Sequence, residues 1–133
     1  MKDFIMNWVL LWLPLHNVTS IMSLLNKMKF EYNTTDYIRK INKGNSYFDT
    51  FLNKNSLAAG ILILKPGEED TQIPHDSDEM YYILEGDGFL KIKNKNYSIK
   101  KGKAFFVPKN TEHYFFGNKK KLQVLYFFGG PDD

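Results

Sequence analysis

Three side chains in this 133-residue chain have the types and positions needed to hold a metal ion: His75, Glu79 and His113. The imidazole and carboxylate of the first pair flank Asp76-Ser77-Asp78, a strong turn sequence. Along an uninterrupted strand, four residues would separate them by about 13 Å, too far to share one ion. A turn between them lets both side chains converge. His113 follows the turn-forming Pro108-Lys109-Asn110 and leads into Tyr114-Phe115-Phe116. Two imidazoles and one carboxylate suit Fe(II), Mn(II), Ni(II) or Zn(II) and leave positions open for water or substrate. The chain has no cysteine, which excludes thiolate ligands, a thiolate nucleophile and disulfides. On spacing alone, the plainer reading stands ahead: each histidine is simply hydrogen-bonded near a barrel mouth, since no ligand motif of fixed spacing is present. Asp76 and Asp78 are alternative oxygen donors, but such turn residues more often cap local backbone groups.

The elements that must bring these side chains together follow from the patterning after Lys29. Strands are predicted over 47–52, 57–65, 71–75, 79–85, 89–93, 97–100, 104–107, 111–116 and 122–128, each an apolar or alternating run bounded by turn residues. The nearly unbroken apolar run from Leu57 predicts a strand buried on both faces. One turn of helix is expected over 36–41, capped by Thr34 or Thr35 and ended by Asn42-Lys43-Gly44. Short, evenly spaced strands with no long helix predict an all-β sandwich or barrel, closed or double-sheeted so that its edges are hidden. Alternation gives Tyr81 and Ile83 the parity of Glu79, and gives Phe115 that of His113. These three residues would line a pocket for a small, partly apolar or planar ligand; the competing reading is ordinary barrel core.

Residues 1–28 read as an N-terminal extension ahead of a single barrel domain over 29–133. The apolar run from Phe4 to Leu15 is, at about twelve residues, too short to span a bilayer as a helix, so no membrane partner is expected. Three readings are open for the extension. It is a dispensable or poorly ordered segment, or a short helix with Ile21, Leu24, Leu25 and Met28 on one face and Ser20 as its cap, or a cleaved signal whose leading Lys2 is cancelled by Asp3. Cytoplasmic residence goes with the first two readings and secretion with the third. The net charge of +3 is carried almost wholly by lysine, with Arg39 the single arginine. Without arginine forks to read phosphates and bases, nucleic acid is not an expected partner.

Gly67, His75, Glu79 and Gly86, with six residues between the last two, resemble the first motif of the cupin superfamily. Gly102, Pro108 and His113, separated by five and four residues, resemble the second. The resemblance covers about Leu57 to Phe128, with fifteen residues, 87–101, between the motifs. It implies a small double-stranded β-helix, or jelly roll, with a divalent transition metal (Fe, Mn, Ni or Zn) held inside the barrel by His75, Glu79 and His113 beside a small-molecule ligand. Cupins include dioxygenases, isomerases, epimerases, lyases, sensory domains and storage proteins, and they commonly pair through their sheets, so a homodimer is implied as well. Three departures matter. Ile73 stands where the family's first histidine would be, Asn110 replaces the usual second-motif glycine, and Gly117 replaces its asparagine. Losing that histidine reduces the implied ligands from four to three. Gln72 would add an oxygen donor only if it turned inward, and alternation around Ile73 argues against that. No second acid–base pair is visible, so a metal-dependent enzyme and a non-catalytic, metal-free binding or sensory cupin both remain open.

Overall fold

The computed structural model of the chain describes residues 15–132. The apolar run beginning at Phe4 therefore lies, up to Pro14, outside the described residues. The chain divides into two compact units between Tyr32 and Asn33. In the first, helix α1 spans Leu15–Lys27, which places Ser20 within the helix and not at its cap. No helix among the described residues is long and apolar enough to cross a membrane.

The second unit opens with helix α2, Thr34–Lys43, longer than the single turn expected. Its cap is Asn33, whose side chain accepts the Thr35 N–H, so neither threonine has that role. Asp36 in the first turn and Lys40 and Lys43 in the last complement the helix dipole. Eight strands follow: β1 Phe48–Asn53, β2 Ala58–Leu64, β3 Glu79–Glu85, β4 Phe89–Ile92, β5 Lys95–Ser98, β6 Ala104–Val107, β7 His113–Phe116 and β8 Leu122–Phe128. They form a five-stranded antiparallel sheet, β1-β2-β8-β3-β6, and a three-stranded one, β5-β4-β7. Tyr81, Val124 and Leu62 from the large sheet share one core with Leu90 and Phe115 from the small one. This is the all-β, double-sheeted barrel that the patterning predicts, and the jelly roll that the resemblance implies.

Strand β2 is buried along its whole length, and the reason is visible in its alternation. Ala58, Leu62 and Leu64 face the barrel core, while Ile61 and Ile63 pack with Ile41, Tyr37 and Ile38 of α2. The helix thus covers a face that would otherwise expose β-branched side chains to water. Gly86 ends β3 with φ +113°; a Cβ there would come within 2.7 Å of the Leu122 backbone, so only glycine lets the chain turn so close to β8.

One expected strand is absent. Residues 71–75 belong to an irregular loop over 65–78 and pair with no strand. The polar groups of the loop are met by side chains and turns instead. The Asp70 carboxylate accepts the Gln72 N–H, and Glu68 accepts the Lys65 N–H. Alternation is a property of strands, so it does not govern which way side chains of 71–75 point.

Gly60 of β2 faces the ring of Tyr126, and a Cβ there would fall on that ring and 2.5 Å from the Asp49 carbonyl oxygen. Gly60→Ala is expected to destabilise the protein by roughly 1–3 kcal/mol, the usual cost of overpacking. Urea unfolding measures this, and an unchanged midpoint would mean that β1 and Tyr126 yield without strain.

Candidate metal centre

Glu79 and His113 are each the first residue of a strand, β3 and β7, one in each sheet. Both strands alternate, and both residues fall on the inward parity. Glu79, Tyr81 and Ile83 are buried between exposed Met80 and Tyr82, and His113 and Phe115 are buried on β7. Two polar side chains therefore meet across the barrel interior, each only 3% exposed. His75 arrives from the 65–78 loop. Its carbonyl oxygen accepts the Asn110 N–H at 2.6 Å, and the Asp78 carboxylate accepts the Lys109 N–H at 3.0 Å. Asn110 has φ +56°, a left-handed conformation that asparagine tolerates better than most residues, which explains how it fills the place of a glycine. Asp76 and Asp78 are exposed and lie outside the cluster; Asp78 ties two loops together.

The ligand-capable atoms of His75, Glu79 and His113 all lie within 4.8 Å of one another. His113 Nε2 is 3.0 Å from Glu79 Oε1, and His75 Nε2 is 3.8 Å from the same oxygen. The other ring nitrogen of His113, Nδ1, lies 2.7 Å from the Thr111 carbonyl oxygen, so Nδ1 carries a hydrogen and donates it. In the neutral ring Nε2 then has only a lone pair, aimed at a carboxylate oxygen. Two acceptors in contact call for a positive charge between or on them, either a metal ion or a second ring proton.

The histidines respond in opposite directions. Burial pulls His113 down, but its hydrogen bonds to Glu79 and Thr111 and the nearby carboxylate charges outweigh this, and its pKa is raised. His75 is lowered, chiefly by burial and then by its neighbour His113, against the pull of Glu79. Tyr81 is pushed well above the usual phenol range, first by burial and then by Glu79, so its hydroxyl keeps its proton. That hydroxyl donates to Gln72 Oε1 at 2.8 Å and lies 3.1 Å from His113 Nε2.

A cavity of about 360 Å³ opens onto the cluster, and Glu79, His75, Tyr81, Tyr47, Tyr126 and Phe128 line it. Of the residues expected beside a ligand, Tyr81 lines the cavity, whereas Ile83 and Phe115 are fully buried in the shared core and do not. Gln72 is turned inward and lines it, contrary to the expectation from alternation, and Ile73, though 74% exposed, lines its rim as well. The reason is the missing strand: a loop need not send successive side chains to opposite faces. Two further wall residues, Tyr47 and Asp132, carry no signal in the sequence, because both arrive from parts of the chain remote from either motif. Asp132 is pinned there by Thr50 and by a reciprocal pair of hydrogen bonds with Asn53 at 2.9 and 3.0 Å. Asp70 is also illegible beforehand. It lies in an acidic run, Glu68-Glu69-Asp70, yet alone of the three is buried.

The family profile described as Cupin domain matches residues 60–128. The chain is similar to an uncharacterized protein of Streptomyces coelicolor, 28% identical over 82 residues that make up 62% of this chain and 78% of that one. It is also similar to the 5-nitrosalicylic acid 1,2-dioxygenase of a Bradyrhizobium species, 31% identical over 70 residues, 53% of this chain but only 34% of the dioxygenase. Among solved structures, a protein of Bacillus halodurans shares the fold with a TM-score of 0.65 at 15% identity, over 80% of this chain and 85% of its own.

The raised His113 fixes a sign for pH dependence. The folded state holds that proton more tightly than the unfolded chain, so the stability it contributes is fully present below the ordinary value of 6.5 and is lost as pH rises through the higher folded value. His75 acts oppositely, costing stability as pH falls below 6.5. In chelator-treated protein, the stability difference between wild type and His113→Gln is expected to be larger at about pH 6 than at about pH 9. Paired urea titrations check this; an equal difference at both would show that His113 carries no extra proton affinity.

Proposed function

This chain belongs to the cupin family, and on that footing we propose that it is a small metal-binding cupin in which His75, Glu79 and His113 hold one divalent transition ion, Fe, Mn, Ni or Zn, and in which the adjoining cavity binds a small molecule. The observation that carries this reading is the buried approach of His113 Nε2 to Glu79 Oε1 at 3.0 Å with Nδ1–H already committed to Thr111. A ring so oriented by its second nitrogen is the arrangement that metal-ligating histidines adopt. His75 completes a three-donor face, and the cavity lies on its open side.

An ion bound there would supply Lewis acidity toward a substrate oxygen, or a site for dioxygen chemistry. The chain's own residues do the rest. Tyr81, kept protonated, commits its hydroxyl hydrogen to Gln72 and leaves its oxygen beside the cluster to accept from a substrate donor. Tyr47, Tyr126 and Phe128 offer aromatic faces that suit a planar or partly apolar molecule, and among the described residues no lysine or arginine lines the cavity. The likeness to the 5-nitrosalicylic acid 1,2-dioxygenase covers about a third of that protein and supports an oxygen-using reaction on a small aromatic compound as the first one to assay.

A second reading is a binding or sensory cupin without metal. One feature favours it: when His113 carries a second proton, Nε2–H donates to Glu79 and the cluster is satisfied with no ion at all.

Metal analysis of protein purified without chelator is expected to find about one equivalent of a transition ion, lost in His75→Ala, with Glu79→Gln weakening affinity by about tenfold or more and Asp78→Asn having little effect. Folded wild type that stays metal-free under metal-replete conditions would decide for the second reading. Oxygen uptake and product formation over a panel of catechols, salicylates, thiols and ketoacids, with Fe, Mn, Ni and Zn each supplied, then separate enzyme from binder.

A further inference from the structure

Position 73 cannot supply a donor to the cluster, since Ile73 is apolar and turned to solvent. Its neighbour can. Gln72 Oε1 lies 3.4 Å from His75 Nε2 and 2.8 Å from the Tyr81 hydroxyl, on the cavity wall. We propose that the Gln72 amide oxygen is a fourth donor to the ion held by His75, Glu79 and His113, and that Asp70 is the positioning residue that aims it. The proposal rests on the metal-binding reading above.

The orientation of the amide follows from hydrogen bonding. Gln72 Nε2 lies 2.5 Å from Asp70 Oδ2, and a carboxylate can only accept, so the NH₂ group faces Asp70 and the carbonyl oxygen faces the cluster. An amide oxygen has two lone pairs. The Tyr81 hydroxyl takes one, which leaves the other on the side of His75 Nε2. That second contact joins two acceptors once His75 is a neutral ligand, the same conflict that a cation resolves between His113 and Glu79. Neutral oxygen donors suit the harder ions of the set, Mn(II) and Fe(II), and add no charge to a site that already has one carboxylate.

Asp70 is built for the role. Only 8% exposed, it accepts from Gln72 Nε2, from the Gln72 backbone N–H at 3.3 Å and from the Phe115 N–H at 2.9 Å. Phe115 is two residues beyond His113 on β7, an edge strand whose outward N–H would otherwise lack a ladder partner. One carboxylate thereby fixes the loop that carries Gln72 and His75 against the strand that carries His113. A hydrogen bond from the Tyr47 hydroxyl at 3.3 Å adds to it.

The test is calorimetric titration of the chelator-stripped full chain with MnCl₂ and NiCl₂, with thermal melts of each stripped variant to check folding. Gln72→Leu is expected to weaken binding about ten- to a hundredfold, and Asp70→Asn to weaken it less, by letting the amide turn over. Gln72→Met keeps the volume but replaces the amide oxygen with a thioether, a poor donor for Mn(II), and is expected to lose Mn(II) affinity to a similar extent. Gln72→Leu that binds like wild type overturns the proposal and leaves the three-donor site standing. So does a loss in Gln72→Leu that Gln72→Met does not share, which would mark Gln72 as a purely structural contact. If Gln72→Leu does not fold, Gln72→Met and Asp70→Asn carry the same comparison. Wild type that binds neither ion sinks the metal reading itself, a different result from either.

Discussion

At the centre of this barrel two hydrogen-bond acceptors are pressed together away from water, His113 Nε2 and Glu79 Oε1 at 3.0 Å. Left uncompensated, a buried charge beside a lone pair costs several kcal/mol, so the contact is tolerable only with a cation or a proton between the partners. The surroundings are arranged around that demand. Thr111 commits one ring nitrogen, β3 and β7 hold the two side chains at strand starts in opposing sheets, and Tyr81 and Gln72 close the hydrogen bonding beneath them. The contact joins the two sheets as well as forming the candidate site, so the cation or proton that satisfies it and the closure of the barrel draw on the same geometry.

The fold was legible wherever side chains alternate between core and solvent. β3, β6 and β8 begin and end at the residues that patterning and flanking turns indicate, and the apolar run of β2 correctly signals cover on both faces. Legibility failed where the backbone is held by side chains from elsewhere. Thr71 to His75 reads like a strand, but its partners are Asp70 and the turn at Asn110, and no local pattern reveals either. That one error carried a second with it: treating 71–75 as extended turned Gln72 away from the interior, where the loop in fact places it. The convergence of His75, Glu79 and His113 was readable from a turn between two of them and a turn before the third. Tyr47 and Asp132 of the cavity wall were not, because they are brought in by tertiary packing alone.

Division of labour within one strand explains how so short a chain supports two separate apolar clusters. Alternate residues of β2 serve the barrel core and the helix-covered face, and Gly60 makes room for Tyr126, whose hydroxyl bonds Thr50 of β1 at 2.6 Å. A single layer of backbone, β2, thus separates α2 from the cavity, with Leu62 on one side and Ile61 and Ile63 on the other.

The position of β8 sets the order in which this molecule can assemble. It is the central strand of the large sheet, with β2 on one side and β3 on the other, yet among the eight strands it is the last to be synthesised. Until residues 122–128 leave the ribosome, the β1–β2 and β3–β6 pairs each present a bare strand edge to solvent. Completion of the large sheet must then wait for the synthesis of β8, with the slow, non-local closure and aggregation exposure that such a topology carries.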